Sequence, residues 1–158
     1  MTSQHLYIPM TIEEVQALRS GGFDANGQPP EYAISDGVGA PCRHCLRNIP
    51  AGKGMLVLGH RPFPRPQPYA ETGPVFLCAE ACQGWKGEGL PPILRSSPDY
   101  LIKSYTTAHR IKYGTGAIVK TQDLDQEIAR RLEDPEIAYV DVRSARNNCS
   151  QCRAVRAP

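Results

Sequence analysis

Several things are scarce in this chain, and each absence narrows what it can be. No apolar run approaches the roughly 20 residues a membrane-spanning helix needs; the longest core-like run is Met55-Leu56-Val57-Leu58. No membrane role is expected. The opening stretch MTSQHLYIPM has neither a basic start nor an apolar segment, so it does not read as a secretory leader, and a cytoplasmic location is expected. Charge of one sign is not in excess. Lys and Arg number 18 against 16 Asp and Glu, a formal net charge of +2, too small to imply nucleic acid or a membrane surface by itself. Aromatic residues make up 7% of the chain, which leaves few bases' worth of stacking platforms. No internal repeat is present, which removes solenoids and propellers.

What remains is one domain over residues 1–158, long enough for one real core. Gly and Pro are abundant, 14 and 15 residues, so long loops are expected. Thr11 and Glu14 have the spacing of a capping box, and Met10 and Val15 that of a hydrophobic staple, which predicts a helix ending at Gly21-Gly22. Strands are expected at Tyr32–Ile34, Met55–Leu58, Pro74–Leu77, Tyr100–Thr107, Gly116–Thr121 and Ile137–Val142. Pro62, Pro64, Pro66 and Pro68 alternate, which only an extended loop tolerates. Leu124, Ile128 and Leu132 form an i, i+4, i+8 stripe on a second helix, with Asp123 and Gln126 as its capping box. A short helical turn is expected from Cys82 toward Trp85. The fold class is α+β, with a mainly antiparallel sheet, short helices near both ends and a cysteine-rich metal site.

The six cysteines fall into three pairs: Cys42 and Cys45, Cys78 and Cys82, Cys149 and Cys152. The first and last are C-x-x-C turns, the spacing that lets two thiolates reach one tetrahedral ion. In a reducing compartment such pairs serve as metal ligands or redox thiols more often than as disulfides. A closed thiolate tetrad supports structure and not turnover. Because the two C-x-x-C turns match in spacing, zinc held by Cys42, Cys45, Cys149 and Cys152 is the preferred reading. It would tie the C-terminal tail to the N-terminal third. The alternative joins Cys42 and Cys45 to Cys78 and Cys82, as in treble-clef sites, against which the three-residue spacing of the latter pair weighs. Cys42-Arg43-His44 also has the composition of an activated nucleophile, which zinc would quench.

Pro41 to Leu46 (PCRHCL), Tyr69 with Gly73-Pro74-Val75-Phe76, Leu94-Arg95 and the run Tyr139 to Arg153 resemble domain of unknown function family 1203, small and mostly bacterial proteins. The resemblance covers roughly residues 38 to 156. It implies a shared fold and no established activity. Arg43, His60, Tyr69, Glu71, Arg95, Arg146 and Asn147 lie in or beside these stretches. If the tail folds back they form a pocket for a carboxylate or phosphate. Three functions follow. The first is a zinc-stabilised binding or interaction module for a small molecule or protein. The second is an enzyme with a pocket around Arg43, His60 and Tyr69. The third is a nucleic-acid-binding zinc protein using Lys103, Lys112, Arg143, Arg146, Arg153 and Arg156, the least expected because the helices are not basic.

Overall fold

Thr11 does cap a helix. Its side chain accepts from the Glu14 N–H while Glu14 reaches back to the Thr11 backbone, closing the capping box. The helix, α1, spans Ile12–Arg19 and buries Val15 and Leu18, with Met10 of the staple buried beside them. Ile12 stays exposed. The computed structural model describes residues 4–158, and the elements along it are β1 (His5–Ile8), α1, β2 (Glu31–Ile34), β3 (Gly54–His60), β4 (Gly73–Cys78), β5 (Asp99–Tyr105), β6 (Ala117–Lys120), α2 (Leu124–Arg131), β7 (Tyr139–Ser144) and β8 (Ser150–Arg156). The fold is α+β with antiparallel sheets. Five strands form one sheet in the order β1-β8-β7-β5-β6, and three form a second in the order β2-β3-β4.

The central strand β7 explains the layering. Its alternation sends Val140 and Val142 to one face and Tyr139, Asp141 and Arg143 to the other, and all five residues are buried. On the first face Val140 and Val142 meet Tyr100, Ile102, Cys152 and Ala154 beneath the Leu124, Ile128 and Leu132 stripe of α2. On the opposite face Tyr105 stacks on Tyr139 with centroids 5.3 Å apart, and Phe63 of the proline loop covers them. A third cluster joins α1 to the three-stranded sheet through Val15, Leu18, Leu58, Val75 and Leu77.

Four expectations are corrected. β1 was not anticipated, because its inward residues, His5 and Tyr7, are polar-tipped; both reach Asp125 of α2, at 2.9 and 2.7 Å. Asp123 makes no capping hydrogen bond. Its backbone is already helical, at φ −102° and ψ −4°, and a 3-10 turn over Thr121–Asp123 leads into α2 instead. No helix follows Cys82, where residues 81–87 have no regular structure. The tail beyond Asn148 is not a metal-binding turn but strand β8, inserted between β1 and β7.

Because β8 supplies both neighbours with hydrogen bonds, deleting residues 150–158 should abolish folding and not merely loosen the tail. Thermal melting followed by circular dichroism should show no cooperative transition in the shortened chain.

Candidate metal centre and adjoining cleft

The first cysteine pair sits on a tight knuckle. The Leu46 N–H donates to the Cys42 carbonyl at 3.0 Å and the Cys42 N–H to the Arg47 carbonyl at 2.9 Å. The turn forces Leu46 into the left-handed region, at φ 55°, which costs an ordinary residue about 1–2 kcal/mol. Leu46 is fully buried in the core, a gain of about 1.5–3 kcal/mol for such a side chain, so the strained turn is covered by packing. The knuckle is pinned to β4, since Arg43 N–H donates to the Phe76 carbonyl at 3.0 Å. Strand β4 delivers Cys78 at its end. The irregular segment after it brings Cys82 back over the knuckle, where Trp85 N–H donates to the His44 carbonyl at 2.9 Å. A Cβ at Gly84 would lie 2.8 Å from the His44 ring, so glycine permits that crossing.

The result is a cluster of four sulfurs, from Cys42, Cys45, Cys78 and Cys82, all within 4.8 Å of one another. Cys42 and Cys82 Sγ stand 3.9 Å apart. Tetrahedral zinc with bonds of about 2.3 Å sets sulfurs roughly 3.8 Å from each other, so the donor set and its spacing fit a divalent ion. Two donors face the sulfurs from outside: Cys78 N–H toward Cys42 at 3.3 Å and Arg19 Nη2 toward Cys82 at 3.1 Å. Hydrogen bonds from Cys45, then Cys78 and Cys82, push the Cys42 thiol far down against its burial. At Cys82 the bond with Cys42 acts upward, but those with Cys45 and Cys78 outweigh it and bring the thiol to about 6. Hydrogen bonding to Cys42 drives the Cys45 and Cys78 thiols upward. Proton sharing among the four sulfurs favours the charged form at Cys42, and a cation would take the place of the shared protons.

The pairing of the two C-x-x-C turns is corrected by this geometry. C-x-x-C chelates only when its residues lie on a turn. Cys149 ends the β7–β8 hairpin, where Asn148 is left-handed at φ 60°, and Cys152 lies inside β8. The pairing of β7 with β8 shifts register between Val142 and Arg143, opposite Cys152 and Ser150, so the two cysteines flank a bulged strand entry and not a tight turn. Cys152 accordingly points into the core under α2, where burial raises its thiol well above the ordinary value. Cys149 stays half-buried at the hairpin. The tail does meet the knuckle, but through Arg43. The buried guanidinium donates from Nε to the Ser150 carbonyl at 2.7 Å and from Nη1 to the Pro41 carbonyl at 2.6 Å. His44 points away from the sulfurs, its Nδ1 lying 2.8 Å from the Met10 carbonyl.

Beside the cysteines lies a cleft of about 290 Å³, lined by the β1–α1 junction, the start of the proline loop, β7 and β8. Two expected pocket residues, Arg43 and His60, line it. The others do not. Tyr69 hydrogen bonds to Tyr113 at 3.0 Å under the Arg110 guanidinium. Arg95 donates to the Leu90 carbonyl at 3.2 Å, and Arg146 pairs with Asp99 at 2.8 Å. Asn147 is exposed, and Glu71 pairs with Lys103, with Asn148 at 2.9 Å. Arg61, which lines the cleft, carried no sequence signal, nor did Arg19 at the sulfurs; Asp141 and Arg153 also line it, although the sequence placed Arg153 in a basic strip and Asp141 only in a strand. The supposed basic strip is also dispersed. Lys103 and Arg143 face Glu71, Lys112 faces Glu136, Arg153 binds Asp141, and Arg156 donates to the Leu132 and Asp134 carbonyls.

Burial holds the His60 imidazole below its ordinary value of 6.5, with Arg43 and Arg153 adding to the effect and Glu14 opposing it. The folded protein therefore resists protonation at His60, while the unfolded chain takes up a proton near 6.5. Stability should fall as pH drops below about 6.5 and level off once the lowered folded value is passed. His60→Gln should flatten this part of the profile, as measured by urea unfolding between pH 5 and 7.5.

Among the described residues no helix is long and apolar enough to cross a membrane. No curated protein matches the chain, and no solved structure does. One family model does match, over residues 39–156, which span the knuckle, the four clustered cysteines, most of the cleft lining and the last strand. The chain therefore belongs to the family described as Protein of unknown function (DUF1203).

Proposed function

We propose that the protein is a cytoplasmic, zinc-stabilised binding module, with the ion held by Cys42, Cys45, Cys78 and Cys82. One observation carries this reading: four cysteine sulfurs from three separate segments converge within 4.8 Å. Their spacing is that of sulfurs around one tetrahedral ion, and all six cysteines of the chain are free of disulfides. A closed tetrad leaves no coordination position for a substrate, so the ion stabilises and does not catalyse. It would link the knuckle, β4 and the irregular segment. The module is preferred to an enzyme because Tyr69, the third member of the expected catalytic pocket, is engaged outside the cleft. Nucleic acid is disfavoured because the six basic side chains offered for it bind acidic groups and carbonyls of the chain itself.

Elemental analysis of protein purified without chelator should give one zinc per chain. Cys78→Ser and Cys82→Ser should lower that content and the melting temperature, whereas Cys149→Ser should change neither. Undiminished zinc in Cys78→Ser together with loss in Cys149→Ser would reject the assignment. Chelation of the native protein should release the ion and lower the melting temperature by several degrees, about what a loss of 1–2 kcal/mol produces in a domain of this size.

A further inference from the structure

We infer that the cleft beside the sulfur cluster binds a small organic anion, a carboxylate or phosphate attached to an apolar body, and that Arg43 and Arg61 receive the charge. The inference deepens the binding half of the proposed function and rests on it. Arg43 is 4% exposed, and its Nε and Nη1 are spent on the Ser150 and Pro41 carbonyls. Its Nη2 has no protein partner, and no carboxylate pairs with it among the described residues. Arg61 follows His60 into the proline loop and also lines the cleft. Its Nε is buried without a hydrogen-bond partner, and it makes no ion pair. A buried guanidinium nitrogen left unsatisfied costs free energy; Arg61 Nε is such a group, and Arg43 and Arg61 line the same cavity.

The other charges on the cleft are already committed. Asp141 takes both oxygens to Arg153, at 2.6 and 3.1 Å. Arg153 in turn donates to the Pro62 carbonyl at 2.6 Å and lies 3.7 Å over the Tyr139 ring, so it fixes the loop segment that presents Arg61. Glu14, at the rim, closes the capping box with Thr11. Among the described residues, Arg43 and Arg61 are then the cations on the cleft that pair with no carboxylate. Met10, Pro62, Phe63 and Pro64 supply the apolar wall, and a volume of about 290 Å³ suits a ligand at the small end of the usual range. Guanidinium forks match planar carboxylates and phosphates in geometry as well as charge. Arg43 also neighbours the thiolates and so has a second reason to be charged. Arg61 belongs to no cysteine turn, which makes it the discriminating residue.

Calorimetric titration of the metal-loaded protein with benzoate, phenyl phosphate and uncharged benzyl alcohol tests this. At least one anion should bind saturably at one site and the alcohol should not, and the stronger anion identifies the group preferred. Arg61→Gln should weaken anion binding about tenfold or more, as loss of one charge-assisted hydrogen-bonding group implies, with zinc content unchanged and melting temperature not lowered. Arg61→Lys, which keeps the charge without the fork, should fall between. Absence of saturable binding by both anions overturns the inference, as does equal binding of the alcohol or wild-type affinity in Arg61→Gln. Zinc content measured on the same samples separates the two readings. Anion binding by protein lacking zinc would reject the metal assignment alone, and full zinc with no anion binding would reject the cleft alone.

Discussion

The guanidinium of Arg43 holds the two halves of this protein in register. It sits between two cysteines of the knuckle and is buried. From there it bonds to the knuckle's own Pro41 carbonyl and to the Ser150 carbonyl at the head of β8. Its backbone ties the same point to the N-terminal segment, through Met10 N–H, and to β4, through the Phe76 carbonyl. Four stretches of chain far apart in sequence therefore meet at one residue. A desolvated charge is costly unless its donors are satisfied, so any displacement of β8 or of the knuckle would strand them. The constraint is geometric as much as energetic. It sets the distance between the three-stranded sheet, whose β4 ends in Cys78, and the five-stranded sheet, whose β7 and β8 form one wall of the cleft.

Around that junction the two sheets divide the work. The five-stranded sheet is buried on both faces at β7, with aliphatic side chains against α2 and an aromatic and charged layer against the proline loop. The three-stranded sheet is only half-buried and has no helix packed across its outer strand. Its order depends on α1 and on the sulfur cluster at the end of β4. Arg19 makes this dependence explicit, because the last turn of α1 reaches both the Cys78 carbonyl and the Cys82 sulfur. Sulfur cluster and helix thus brace the same edge.

What the sequence disclosed follows its physical character. Local rules were legible: the capping box of α1, the apolar stripe of α2 and the alternation of β7 all appear as the residue pattern says, since each depends on neighbours within one turn or one strand. The sulfur cluster was legible as a cluster, but its membership was not. C-x-x-C spacing reports only that two sulfurs can meet if the backbone turns there. The backbone turns at Cys42–Cys45, whereas Cys152 lies within strand β8, and that difference comes from the pairing of β8 with β1 and β7, a tertiary fact. The cleft was half legible, through Arg43 and His60. Arg61 and Asp141 are placed by strand register and by the tether from Arg153 to Pro62, which leaves no trace in local composition.

The register His5 with Arg156 has a kinetic side. Joining β1 to β8 closes a loop of nearly the whole sequence, whereas the hairpins β3–β4 and β7–β8 close short ones. The entropy of closure grows with the length enclosed, so the hairpins are the early elements and the outer strand docks last, onto a surface the others have already built. Such long-range pairing places the protein among slow-folding topologies. It leaves the hydrogen-bonding edge of β8 open in every partly folded chain, where a second molecule's β1 could take the vacant position.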